Sequence, residues 1–234
     1  MAAYPEVKTV EEFNKQPAEY QDAVRKIVRS HAINELYGAQ VFDEPAIALA
    51  PTPYAKWLTC RVAMEEYHHH VRFRTMADEL GVKPEEMDTN NKKPLNIFEY
   101  PMTTWEQFCV IKMLGDLAEI LQVEDLLHCS FVPLRNVART TMPEEKFHAQ
   151  FGRDFCTDLI KDPTSRVLVQ DAVNSFFPHA PKFFGSANSK NNEIFRNFGI
   201  KLRKNEEMRA DYIARAKEVT DSLGLTLPDL AAAA

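Results

Sequence analysis

Four long stretches of this sequence repeat apolar residues every three or four positions, and an acid interrupts the apolar side of each. In the first, Val24, Val28, Ala32, Ala39 and Phe42 share a row with Glu35. In the second, Val62, Phe73, Met76 and Leu80 share one with Glu66 and His69. The third places Asp116 among Cys109, Met113, Ile120, Val123 and Leu127. The fourth places Glu145 and His148 among Met142, Gly152, Phe155 and Leu159. Spacing of three and four is the repeat of a helix that buries one side. No segment alternates at period two over a useful length, and no internal repeat is found. Long helices with short links predict an all-α bundle.

Local signals set the expected boundaries. The first helix covers about residues 21–42 and ends near Pro45, before the Pro-rich APTPYA. The second covers about 54–80 and closes at Gly81. Residues 82–101 form a polar connection with room for one short helix. A third begins after Thr104, with Gln107 placed for a capping box, and stops near residue 132 before Pro133. The fourth covers about 134–160, with Pro143 as a kink point. A further helix is expected within 163–185 and a last one over about 192–223. The expected organisation is one domain over residues 1–234: an N-terminal arm to residue 20, a core bundle over 21–160 and C-terminal helices over 163–223.

The remaining composition excludes several classes. A net charge of −6, mixed in sign, gives no basic footprint for nucleic acid. MAAYPEVKTVEEF lacks the apolar core of a signal peptide, and no apolar run approaches a bilayer span, so a cytoplasmic protein without membrane contact is expected. Cys60, Cys109, Cys129 and Cys156 form no C-x-x-C pair and read as reduced core residues. The terminal Ala run carries no weight for the fold.

The stretch AMEEYHHHVRF holds two overlapping Glu-x-x-His patterns, Glu65/His68 and Glu66/His69. Residues three apart share a helix face, so either pair has metal-ligand spacing. Helical phase separates them. The row through Glu65 (Arg61, His68, Arg72, Thr75, Glu79) is polar throughout and reads as a solvated face. The row through Glu66 and His69 is otherwise apolar. An acid and an imidazole on an apolar stripe require a partner, because burying them bare is costly. One such pair is a weak signal, since Asp125-x-x-His128 matches as easily. The second pair, Glu145/His148, changes the weight. In chain order the four helices offer Glu35, Glu66-x-x-His69, Asp116 and Glu145-x-x-His148. Ferritin-like di-iron carboxylate bundles use this layout. Four carboxylates offset two ferrous ions and two imidazoles complete the set. Glu119, one turn beyond Asp116, is an alternative third-helix ligand: residue type favours it, while the apolar row slightly favours Asp116.

At these residues the sequence resembles the catalytic subunit of the bacterial ring-1,2-phenylacetyl-CoA epoxidase family, over most of its length. HAINELYG with the following APT resembles the first ligand helix, placing Glu35. MEEYHHH resembles an Asp-Glu-x-x-His motif, placing Glu66 and His69 on ligand positions and Glu65 on the non-ligand acid. IKMLGDLAEI resembles the third ligand helix, with an Asp at Asp116, which tips the choice from Glu119. EEKFHAQFG matches the motif that places Glu145 and His148. FFGSANSKNN and LGLTLPDL are also similar. Tyr67 and His68 stand where the family has small residues, Glu119 is an added acid, and the family subunit runs on beyond the PDL segment. Every ligand position is kept, which argues against the metal-free scaffold subunit that the family also contains.

The resemblance implies a ferritin-like four-helix bundle with added C-terminal helices. It implies two iron ions, O2 as co-substrate and insertion of one oxygen atom into the ring of an aryl-CoA thioester. No flavin or pyridine-nucleotide motif is present, so a separate reductase is implied, together with a related helical scaffold partner. Tyr37, Phe73, Phe147 and Phe151 are candidates for the pocket but read more simply as core. Lys201, Arg203 and Lys204 are candidates for CoA phosphates but read more simply as a solvated face. Other readings of the same ligands are a different di-iron hydroxylase, a ferroxidase or iron store, and a non-catalytic subunit. Manganese in place of one iron suits the same donors.

Overall fold

The computed structural model describes residues 4–88 and 95–230. Its bundle is built from four helical units. The first is α2 (Ala18–Gly38), continued through a π-helical turn (Ala39–Asp43) into α3 (Glu44–Leu49). The second is α4 (Pro53–Glu79), started by the Thr52 hydroxyl accepting from the Ala55 amide. The third joins α5 (Trp105–Val110) through a second π turn (Ile111–Gly115) to α6 (Asp116–Leu126). The fourth is α7 (Val132–Leu159). A short α1 (Val10–Phe13) precedes them; α8 (Pro163–Phe176), α9 (Lys190–Asn197) and α10 (Asn205–Ser222) come after. α2 pairs with α4 and α6 with α7, while α8 packs on α5. Among the described residues no strand forms; one isolated parallel bridge joins Val7 to Phe131 and ties the N-terminal arm to the start of α7.

The all-α expectation is met, and several boundaries differ from those read in the sequence. The predicted capping box forms: Thr104 accepts from the Gln107 amide at 3.2 Å, and Gln107 accepts from the Thr104 amide at 3.1 Å. Pro45 does not end the first unit. It falls in the first turn of α3, where a missing N–H is tolerated. The third unit stops at Leu126 rather than at residue 132, and Pro133 begins α7 instead of terminating its predecessor. α7 continues through Pro143. The expected last helix is two, α9 and α10, parted at Gly199, whose φ of 62° favours glycine. The 82–101 connection contains short 3-10 turns at Pro84–Glu86 and Asn96–Glu99; residues 89–94 and the Ala run at 231–234 lie outside the described residues. Cys109, Cys129 and Cys156 are buried and free, whereas Cys60 is exposed, not a core residue.

The core is in two apolar clusters. One holds Phe42, Val62, Met113, Leu114 and Phe151; the other holds Ala32, Phe73, Ile120 and Met142. Each of the four units crosses from one cluster to the other. The crossing points are Glu35, Glu66–His69, Asp116 and Glu145–His148. A polar layer thus separates two apolar ones, at the level where the four units face each other.

Candidate metal centre

The six residues singled out by the apolar rows converge. Glu35, Glu66, His69 and Glu145 each bring one ligand atom within 4.8 Å of the others, and so do Glu66, Asp116, Glu145 and His148. All six are buried. Glu66 and Glu145 belong to both groups. Two adjoining sets of four donors with two shared carboxylates have the form of a carboxylate-bridged pair of cation sites. Glu119 is absent from both. It gathers instead with His31 and Glu35 in a third group.

Hydrogen bonding orients the imidazoles. His69 Nε2 lies 2.9 Å from Glu144 Oε2, and His148 Nε2 lies 2.8 Å from Glu65 Oε2. An ionised carboxylate only accepts, so each Nε2 carries the proton and donates. The remaining nitrogen, Nδ1, then has its lone pair aimed into the cluster. Neither His69 Nδ1 nor His148 Nδ1 has a hydrogen-bond partner, and neither do Asp116 Oδ2 and both oxygens of Glu145. Five buried orphan atoms turned toward one another are costly unless a cation joins them. The donor set, carboxylate oxygen with imidazole nitrogen, suits iron or manganese.

Two assignments from the sequence are corrected here. Glu65 is not on a solvated face: it is 9% exposed, because α7 packs over that side of α4 and presents His148 to it. Arg61 holds it from the outside at 2.9 Å. Glu144 does the same for His69 and is held by Arg72 at 2.9 Å. The doublets Glu65-Glu66 and Glu144-Glu145 therefore act reciprocally, the first acid of each supporting the histidine of the other helix. That repeated doublet was the available sequence signal. His68 is exposed as expected, while His70 is half-buried, with Nδ1 2.7 Å from the Ala32 carbonyl.

The sequence also hid Lys112. Its ammonium is buried 2.6 Å from Glu66 Oε1, 2.8 Å from Asp116 Oδ2 and 3.1 Å from Asp43 Oδ1. Both partners depend on the π turns. In an unbroken helix Phe42 would share the face of Glu35; the residue inserted by the π turn brings Asp43 inward. The second π turn does the same for Lys112 beside Asp116.

The local field arises from these contacts. Burial works against the Lys112 charge, but Asp116, Asp43 and Glu66 hold its pKa well above the ordinary value. Burial, then repulsion from Glu66, pushes Glu145 up to about 7. Asp116 is raised, chiefly by burial. Glu66 goes the other way: against its burial, Lys112 and His148 hold it well below the carboxylate range. His148 is pushed up to about 10, because Glu66 and Glu65 overcome its burial.

A cavity of about 70 Å³ reaches this cluster. Glu35, Glu66, Asp116, Glu119 and Glu145 line one side; Phe42, Ile97, Phe98, Ile111, Phe176 and Phe183 line the other. None of Tyr37, Phe73, Phe147 and Phe151 lines it. Phe73 stacks on His31, and Phe147 and Phe151 face a separate cleft. A polar cleft of about 390 Å³ adjoins the cavity, sharing Asn34 and Phe183 with it and carrying Lys26 and Lys201. Lys201 is not on a solvated face: it is buried, in the link between α9 and α10, 2.5 Å from Gln122. Arg203 pairs with Asp125, which also accepts from the Leu202 and Arg203 amides. Asp125 is therefore structural.

An all-α bundle with a buried carboxylate–histidine cluster is the class that fold and site define. The whole chain, residues 1–234, matches the family described as phenylacetic acid catabolic protein. The chain belongs to that family and, with it, to the oxidoreductases of phenylacetate breakdown. It is 28% identical over 220 residues to one subunit of the 1,2-phenylacetyl-CoA epoxidase of Escherichia coli strain K12, covering 91% of this chain and 71% of that one. No described helix is long and apolar enough to cross a membrane.

Proposed function

We propose that this chain is the oxygen-activating component of a multicomponent oxygenase, with a pair of iron ions held by Glu35, Glu66, His69, Asp116, Glu145 and His148. The carrying observation is the set of five buried, unpartnered donor atoms on His69, His148, Asp116 and Glu145. Glu66 and Glu145 would bridge the ions, Glu35 and His69 would hold one, and Asp116 and His148 the other. When bound, the pair supplies reduction of O2 and delivery of one oxygen atom to an aromatic ring. The protein's part is positional. Glu65 and Glu144 fix the imidazole tautomers. The aromatic wall of the cavity offers an apolar place for a ring and excludes water.

The proposed substrate is an aryl-CoA thioester, phenylacetyl-CoA or a close relative. The epoxidase relative supports this, and so does the adjoining polar cleft, whose Lys26 and Lys201 suit an anionic carrier. Electrons would come from a separate reductase, and a related helical subunit would complete the assembly. The relative is itself one of several lettered chains of its enzyme, which supports a hetero-oligomer. A cytoplasmic location fits such a catabolic role.

Lys112 favours a second reading, a metal-free subunit whose ammonium neutralises the acids permanently. It leaves both oxygens of Glu145 unexplained. Metal content after anaerobic ferrous loading separates the two. About two irons per wild-type chain, and far less in Glu66→Ala, is the expected result. Aryl-CoA-dependent product formation with a reductase is the next assay. Wild-type protein that binds no iron sinks the oxygenase reading.

A further inference from the structure

The group formed by His31, Glu35 and Glu119 lies outside both halves of the proposed pair. Its ligand atoms fall within 4.8 Å of one another. His31 and Glu35 are one turn apart on α2, and Glu119 reaches them from α6. Glu35 joins this group to the pair. Its Oε2 is 3.7 Å from His69 Nδ1, while its Oε1 is 3.7 Å from His31 Nδ1. One carboxylate thus turns its two oxygens to two different groups. His31 Nδ1 lies 3.3 Å from Glu119 Oε1, and that oxygen is buried without a hydrogen bond. The His31 ring is held in place by stacking on Phe73, with centroids 4.7 Å apart and planes at 15°.

We propose that His31, Glu119 and the outer oxygen of Glu35 form a third divalent-cation site, a loading station through which metal reaches the buried pair. The donors are one imidazole and two carboxylates, a set that suits ferrous, manganous or cobaltous ions. The position fits a station rather than a store. His31 lines the polar cleft, Glu119 lines the inner cavity, and Asn34 borders both. The group therefore stands in the partition between them. A divalent ion does not cross into a buried site bare, since desolvation is too costly. Exchange from the outer to the inner oxygen of Glu35 lets it change site while keeping a carboxylate ligand. The ion pair of a protonated His31 with two acids is the competing account, and it predicts no third ion.

The loading role rests on the di-metal reading, while binding at the station is measured separately. The test is anaerobic titration of the full chain with Co²⁺, followed by visible absorption and equilibrium dialysis. Wild type is expected to bind about three equivalents, and Glu119→Gln and His31→Gln about two each. Ferrous uptake into the pair is expected to slow in both variants, with its final occupancy kept. A Mn²⁺ anomalous peak between His31 and Glu119 is the crystallographic counterpart. About two equivalents in wild type and variants alike overturn the station and leave the di-metal reading standing. A fall to about one equivalent in Glu119→Gln makes Glu119 a ligand of the pair and also overturns the station. A wild type that binds none overturns both.

Discussion

Each cluster histidine spends its outer nitrogen on a carboxylate that is itself held by an arginine: His148 on Glu65 and Arg61, His69 on Glu144 and Arg72. Such partners fix the ring and raise its basicity, and losing one lowers metal affinity by about 10–100-fold. Glu65→Gln and Glu144→Gln are each expected to weaken metal binding by about that factor while keeping the stoichiometry. His68→Gln, an exposed neighbour, is expected to change nothing. Competitive titration against a chelator gives the affinities; unchanged values in both Glu variants would remove the supporting role. The sequence reading chose Glu66 over Glu65 from an apolar row, and the geometry agrees that Glu66 is in the cluster. The same row wrongly sent Glu65 to solvent. A row of polar neighbours reports how one helix looks alone; it carries nothing about the α7 histidine that later covers that side.

The helices show where periodicity stops being informative. Stepping by three and four assumes an unbroken α-helix, and two of the four units contain a π turn beside the site. Each inserted residue rotates the remainder of its helix, which is why Asp43 and Lys112 face inward unannounced. Pro45 and Pro133 were misplaced for a related reason: proline in a first turn starts a helix as readily as proline after a last turn ends one. Gly152 had only the look of a gap in an apolar row. In the structure it is where α7 meets the second π turn. A Cβ there would lie 2.3 Å from the Met113 amide nitrogen and 2.6 Å from the Cys109 carbonyl oxygen. Both are backbone atoms and cannot rotate away. Gly152→Ala is therefore expected to destabilise the protein by about 3 kcal/mol, at the upper end for overpacking. It should also weaken metal binding, because α7 carries Glu145 and His148 on the same side. Thermal unfolding and metal titration check the two effects. A melting temperature unchanged by the substitution contradicts so close an approach.

At the scale of the molecule, a charged layer lies between two apolar clusters, and its stability depends on what neutralises it. Four ligand carboxylates match the charge of two divalent ions, which leaves Lys112 to Asp43, 3.1 Å away. Without metal, Lys112 serves Glu66 and Asp116 as well, at 2.6 and 2.8 Å. Its importance to the fold is therefore greatest in the metal-free protein. Removing one member of a buried ion pair costs about 3–5 kcal/mol. Lys112→Met is expected to lower the metal-free stability by about the lower figure, partly offset as the acids take up protons. At about 2–4 °C per kcal/mol for a chain of this size, the drop is measurable by calorimetry. In the metal-loaded protein only Asp43 loses its counter-ion, so the drop is expected to be smaller. The stabilisation gained on adding metal should then be larger in Lys112→Met than in wild type, as linkage requires when the free state is the one weakened. Equal losses with and without metal would mean that Lys112 keeps its contacts to Glu66 and Asp116 in both states. The permanent-counter-ion reading would then gain on the oxygenase one.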